Sequence, residues 1–105
     1  NRRGSGSLAQ AAGRRGGMSD GGPITLRVLT AGGLALEDQA VSVVVPGEVG
    51  YLGVLKNHAP LVTTLKPGKL SWKRPDGSER SVRVGEGLFE VAKNRCTLLT
   101  TAVEG

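Results

Sequence analysis

From Pro23 onward, apolar and polar residues alternate in short bursts separated by glycine, proline and asparagine. Ile24-Thr25-Leu26-Arg27-Val28 alternates with period two, which predicts one half-buried strand. Gly32-Gly33 breaks it. Gln39 to Val45 follows as a second strand, with Val41, Val43 and Val45 on one face, Ser42 opposite and Pro46-Gly47 as its end. Its β-branched residues suit a pleated surface. Tyr51-Leu52-Gly53-Val54-Leu55 is a short apolar run between Gly50 and the turn-forming Lys56-Asn57-His58, and Leu61 to Leu65 resumes until Pro67-Gly68. Leu70 to Lys73 alternates again, Pro75-Asp76-Gly77-Ser78 has the composition of a hairpin turn, and Ser81 to Val84 returns as the paired strand. After Gly85-Glu86-Gly87, Leu88 to Ala92 and Cys96 to Thr101 close the pattern around Lys93-Asn94-Arg95.

Nowhere does a 3.6-residue apolar period persist, so crossover helices are not expected and a parallel sheet is disfavoured. The expectation is an all-β fold, an antiparallel β-sandwich of about eight to ten short strands without substantial helix, occupying residues 23–105 as one domain. Length agrees, since 105 residues is room for one domain. Seventeen glycines and five prolines are too many turn formers for a helical bundle, and one Trp, one Tyr and one Phe leave an aliphatic core. No run of about 18 apolar residues occurs, which excludes a membrane-spanning helix in this sequence.

The net charge of +5 suggests nucleic acid until it is located. Arg2, Arg3, Arg14 and Arg15 precede Met18 with no acid among them, and the remainder carries 10 basic and 9 acidic residues, a balance of +1. Such a mixed surface lacks the single-sign face that phosphate binding requires. Residues 1–22 hold seven glycines and those four arginines, with little apolar beyond Leu8 and Met18, and are expected to form a disordered leader. Met18-Ser19-Asp20 reads as a natural start, with a basic arm or the end of a transit peptide as alternatives.

Candidate chemistry is sparse. His58 is the single histidine and has no acid within nine residues in sequence, so a nucleophile-histidine-acid arrangement finds no local support. Cys96 sits in an apolar strand and reads as a small buried hydrophobe. With one Cys and one His, neither an intramolecular disulfide nor a zinc site of about four ligands is expected, and no cofactor is expected. Gly47, Gly50 and Gly53 recur every third residue but lack the following Lys-Ser/Thr and the helix of a phosphate loop. A small barrel binding single-stranded nucleic acid is the rival reading, using Lys66, Lys69, Lys73, Arg74, Arg80 and Arg83 with Tyr51, Trp72 and Phe89 as stacking candidates. Asp76, Glu79, Glu86 and Glu90 interleave with those cations, and Trp72, alternating with Lys73, fits a core position better than a platform.

Gly50-Tyr51-Leu52-Gly53-Val54-Leu55 followed by Asn57-His58-Ala59-Pro60-Leu61 places apolar side chains where a loop would face water, which marks an interface or a tucked-in loop. These elements, with Val43 to Gly50 before them, Leu65-Lys66-Pro67-Gly68 after them and Gly85-Glu86-Gly87-Leu88-Phe89-Glu90-Val91 further on, resemble the N-terminal β-sandwich of the epsilon subunit of F-type ATP synthases over residues 24–103. The resemblance implies a non-catalytic central-stalk subunit of a proton-translocating rotor, coupling c-ring rotation to ATP synthesis. It implies contact with the c-ring through Tyr51, Leu52, Gly53, Val54 and Leu55, and with the gamma subunit through His58, Ala59 and Pro60. Tyr51 departs from the acidic residue that bacterial members often carry there, so buried area and a hydroxyl hydrogen bond replace a charged contact. The family's two-helix C-terminal domain has no counterpart before Gly105, so neither its inhibitory arm nor a nucleotide site is assigned to this sequence. The implied location is peripheral, at the cytoplasmic face of a bacterial inner membrane, with an organelle inner membrane as the alternative.

Overall fold

A computed structural model describes residues 22–105, and the expected leader lies outside the described residues apart from Gly22. The described chain is ten strands: β1 (Ile24–Thr30), β2 (Gly33–Ala40), β3 (Ser42–Gly47), β4 (Gly50–Leu55), β5 (Leu61–Leu65), β6 (Gly68–Lys73), β7 (Glu79–Val84), β8 (Gly87–Ala92), β9 (Arg95–Thr100) and β10 (Val103–Glu104). They run in the order β10-β7-β6-β3-β5-β8-β9-β1-β2, with β4 on the side of β3. The all-β sandwich expectation holds.

Two layers form because β3 changes partner along its length. Ser42 to Val44 pair with β6, whereas only Gly47, at the other end, pairs with β5 through Leu65. Pro46, with no N–H to donate, lies between the two pairings. The layer β4-β3-β6-β7-β10 thereby folds over the layer β5-β8-β9-β1-β2. Val43, Val45, Val54, Leu70, Trp72 and Val84 from the first meet Ile24, Leu26, Val28, Leu65, Phe89, Val91, Cys96 and Leu98 from the second. At the opposite seam the buried Trp72 indole N–H donates to Asp38 Oδ2 at 2.9 Å, and Arg74 pairs with the same carboxylate at 3.3 Å, tying β6 to β2.

The structure revises three boundaries. The strand expected over Gln39 to Val45 is two strands meeting at Val41, whose N–H donates to the Lys73 carbonyl and whose side chain is exposed while Val43 and Val45 are buried. Residues 33–38, unread as a strand, form most of β2 and pair with β1. The apolar run from Gly50 to Leu55 is no loop but the returning strand of a hairpin with β3. One pair, β1 with β9, is parallel. It needs no crossover helix, because the whole of β2 to β8 connects the two strands.

Candidate interaction surface

The β3–β4 hairpin carries the residues expected at the c-ring. Its register sets Val43 opposite Val54 and Val45 opposite Leu52 toward the core, and Ser42 opposite Leu55, Val44 opposite Gly53 and Pro46 opposite Tyr51 on the other side. Alternation therefore divides the expected c-ring residues. Tyr51 (62% exposed), Gly53 and Leu55 (65%) lie outward, whereas Leu52 is half-buried against the core and Val54 is buried within it. Val49, at the hairpin tip, is fully exposed.

Tyr51 does more than offer area. Its hydroxyl accepts the Lys69 backbone N–H at 3.2 Å, across the seam where β3 has left β6. The close approach explains the Lys-Pro-Gly element, since a Cβ on Gly68 would lie 2.8 Å from Pro46 Cβ and 2.9 Å from the Tyr51 hydroxyl. At the tip, the Thr64 hydroxyl donates to Glu48 Oε1, joining the hairpin to β5.

The loop after β4 holds the expected gamma-facing residues. Ala59 and Pro60 are exposed and His58 is partly so. His58 N–H donates to the Leu55 carbonyl at 3.2 Å, and its Nδ1 donates to the Ala59 carbonyl at 2.7 Å. The ring is occupied with its own loop, and no hydrogen bond or ion pair joins it to an acid or nucleophile among the described residues. Asn57, at φ 66°, is in the left-handed region, where asparagine is tolerated.

Other chemistry recedes. Cys96 is buried, and burial pushes its thiol up to about 11, so the reactive thiolate is not formed near neutrality. Burial raises Asp38, but bonds from the Trp72 indole and the Gln39 backbone, with the charges of Arg74 and Arg80, outweigh it and hold the carboxyl below its ordinary value. Among the described residues no group of three His, Cys, Asp or Glu side chains is placed to hold a metal ion, and no helix is long and apolar enough to cross a membrane. Trp72 and Phe89 are both buried, which removes two of the three aromatics on which a nucleic-acid platform would depend.

The family model for the ATP synthase delta/epsilon chain β-sandwich domain matches residues 23–105. The chain belongs to that family. Curated relatives named ATP synthase epsilon chain include one from Verminephrobacter eiseniae, 48% identical over 68 residues, covering 64% of this chain and 49% of the relative. Another, from Moorella thermoacetica, is 36% identical over 81 residues, covering 77% and 60%. The chain thus spans about half to three fifths of the length of these epsilon chains. A chain in a structure of the Euglena gracilis mitochondrial ATP synthase that includes the c-ring shares the fold with a TM-score of 0.73 at 18% identity, covering 98% of this chain and 70% of that one. A chain of the Tetrahymena thermophila mitochondrial ATP synthase central stalk and c-ring gives 0.59 at 15% identity, covering 75% and 63%.

Set within this sandwich family, the sequence motifs acquire physical reasons that their spacing did not disclose. The Lys-Pro-Gly glycine admits Pro46 and the Tyr51 hydroxyl. Asn94 reaches the His58 loop from 37 residues away, with its side-chain oxygen 2.6 Å from the Asn57 nitrogen. Sequence reading gave Asn94 only a turn. The signal available was the Lys93-Asn94 pair itself, a two-residue connection suited to positive φ.

Proposed function

We propose that this chain is the sandwich of a non-catalytic rotor subunit of a proton-translocating F-type ATP synthase, coupling c-ring rotation to ATP synthesis from the foot of the central stalk. The observation that carries the reading is the outward row of the β3–β4 hairpin, where Val44, Tyr51, Gly53 and Leu55 form an exposed surface without a charged side chain. Tyr51, Gly53 and Leu55 face the c-ring, Leu52 and Val54 support them from beneath, and His58, Ala59 and Pro60 face gamma. Family membership and the names of the bacterial relatives support the assembly. They also support a peripheral location at the cytoplasmic face of the inner membrane. A close-packed two-layer core suits torque transfer, because dense interiors transmit strain rather than absorb it.

The test is capture of the 105-residue chain by purified gamma and, separately, by c-ring in detergent, with a labelled oligonucleotide as a third arm. Capture by c-ring that Tyr51→Ala with Leu55→Ala abolishes, and capture by gamma that His58→Ala weakens, supports the reading. Failure of the wild type to bind either partner, or salt-sensitive oligonucleotide binding in their place, overturns it.

A further inference from the structure

The loop Lys56 to Pro60 leaves β4 and returns as β5 with little of its own to hold it. Within it, the single backbone bond is His58 N–H to the Leu55 carbonyl. Asn57 lies in the left-handed region, beyond the last ladder pair of β4, Leu55 with Ser42. The Asn57 N–H is met by the side chain of Asn94, whose Oδ1 accepts it at 2.6 Å, while Asn94 Nδ2 donates to Asn57 Oδ1 at 3.3 Å. The Asn94 carboxamide thus bonds Asn57 twice, accepting from its backbone N–H and donating to its side-chain oxygen, between segments that are distant in sequence.

The fold explains why Asn94 arrives there. β5 pairs antiparallel with β8, Leu61 opposite Val91, so the turn that ends β8 stands beside the loop that begins β5. In that turn Lys93 and Asn94 both have positive φ, 52° and 60°, as a two-residue connection between Ala92 and Arg95 requires. The Asn94 carbonyl also accepts the Thr25 N–H at 2.9 Å, which anchors the turn to β1. Asn94 is therefore fixed on the sheet and reaches outward to the loop, not the reverse.

We propose that Asn94 is a positioning residue for the gamma-facing loop, holding Asn57 and with it His58, Ala59 and Pro60 in the shape that docks. This rests on the gamma contact argued above. Binding is tightened when a loop is already in its bound conformation, because less ordering is left to be done on association.

Asn94→Gly isolates the side chain. Glycine accepts positive φ without strain and keeps the carbonyl bond to Thr25, so the turn survives and only the carboxamide is lost. Asn94→Asp restores an acceptor for the Asn57 N–H. The readouts are hydrogen exchange of the Asn57 amide in the free 105-residue chain and affinity for purified gamma, with His58→Ala in parallel. Asn94→Gly is expected to speed Asn57 exchange by about tenfold or more and to weaken gamma binding severalfold, with Asn94→Asp returning both toward wild type. If Asn94→Gly binds gamma as wild type does while His58→Ala does not, positioning is overturned and the interface stands. If neither variant changes binding, the interface reading falls, and unchanged Asn57 exchange in Asn94→Gly overturns the clamp on its own terms.

Discussion

Two hairpins that adjoin where β3 pairs with β6 treat water in opposite ways. In the β6–β7 hairpin the outward pairs are Lys69 with Arg83, Ser71 with Ser81 and Lys73 with Glu79, all charged or hydroxylated. In the β3–β4 hairpin the corresponding pairs are Pro46, itself buried, with Tyr51, Val44 with Gly53 and the half-buried Ser42 with Leu55. Inward, the two are alike: Leu70, Trp72 and Val84 on one, Val43, Val45 and Val54 on the other, all buried. Folding accounts for the inner rows of both hairpins. It accounts for the outer row of β6–β7, where lysines and arginines also discourage stray strand pairing. It does not account for a tyrosine, a leucine and a valine left facing water, and the proposed interaction surface rests on that difference.

The comparison first requires that the inner rows be true core, which Trp72 tests most severely. Trp72→Ala removes a buried ring and leaves Asp38 without its indole donor while Arg74 stays beside it. We expect a loss of about 3–5 kcal/mol in denaturant-induced unfolding. A loss below about 1 kcal/mol would mean that β6–β7 is held from outside the core, and the likeness of the inner rows would fail.

Tyr51→Phe sharpens the outer row. The ring remains and only the hydroxyl goes, so the Lys69 N–H loses its acceptor at an exposed seam. The expected cost is about 0.5–1 kcal/mol by the same unfolding measurement, because water can reach the freed donor. No change at all would leave Tyr51 purely a contact residue. A cost of several kcal/mol would place it with the core and shrink the free surface to Leu55, Val44 and Val49.

Much of this was legible before the structure, and the parts that were not share a cause. The β6–β7 hairpin could be read because clean alternation on both sides met a turn whose residues each have a reason to be there. Asp76 illustrates this, since its carboxylate accepts both the N–H and the hydroxyl of Ser78. Val41 misled because it keeps the parity of Val43 and Val45, whereas the chain turns there between layers, a change that period two does not encode. Gly33 to Asp38 was missed because β2 is an edge strand with mostly exposed residues, so its apolar signal is weak. At the candidate site, apolar excess singled out the segment Gly50 to Leu55. Which of its members point outward depended on recognising a strand in place of a loop, and the Asn57–Asn94 pair depended on topology.

Gly53 gives the smallest expected effect and the sharpest test of the difference between the hairpins. It sits in the interior of β4, opposite Val44, where a glycine weakens a strand by offering no side chain and too much freedom. Nothing in this chain demands it: its φ is not positive, and a Cβ built there meets no atom within 4 Å. Gly53→Ala is therefore expected to raise the stability of the isolated chain by about 0.5 kcal/mol, read as a small increase in unfolding midpoint. If the outer row is a docking surface, the same added methyl group stands between Tyr51 and Leu55 and weakens capture by c-ring. A variant more stable alone and poorer in assembly would show that this strand gives up stability for its partner, as β6–β7 does not. Equal capture by Gly53→Ala and wild type would remove Gly53 from the surface, and a destabilised variant would place a neighbour over β4 that the sandwich itself supplies.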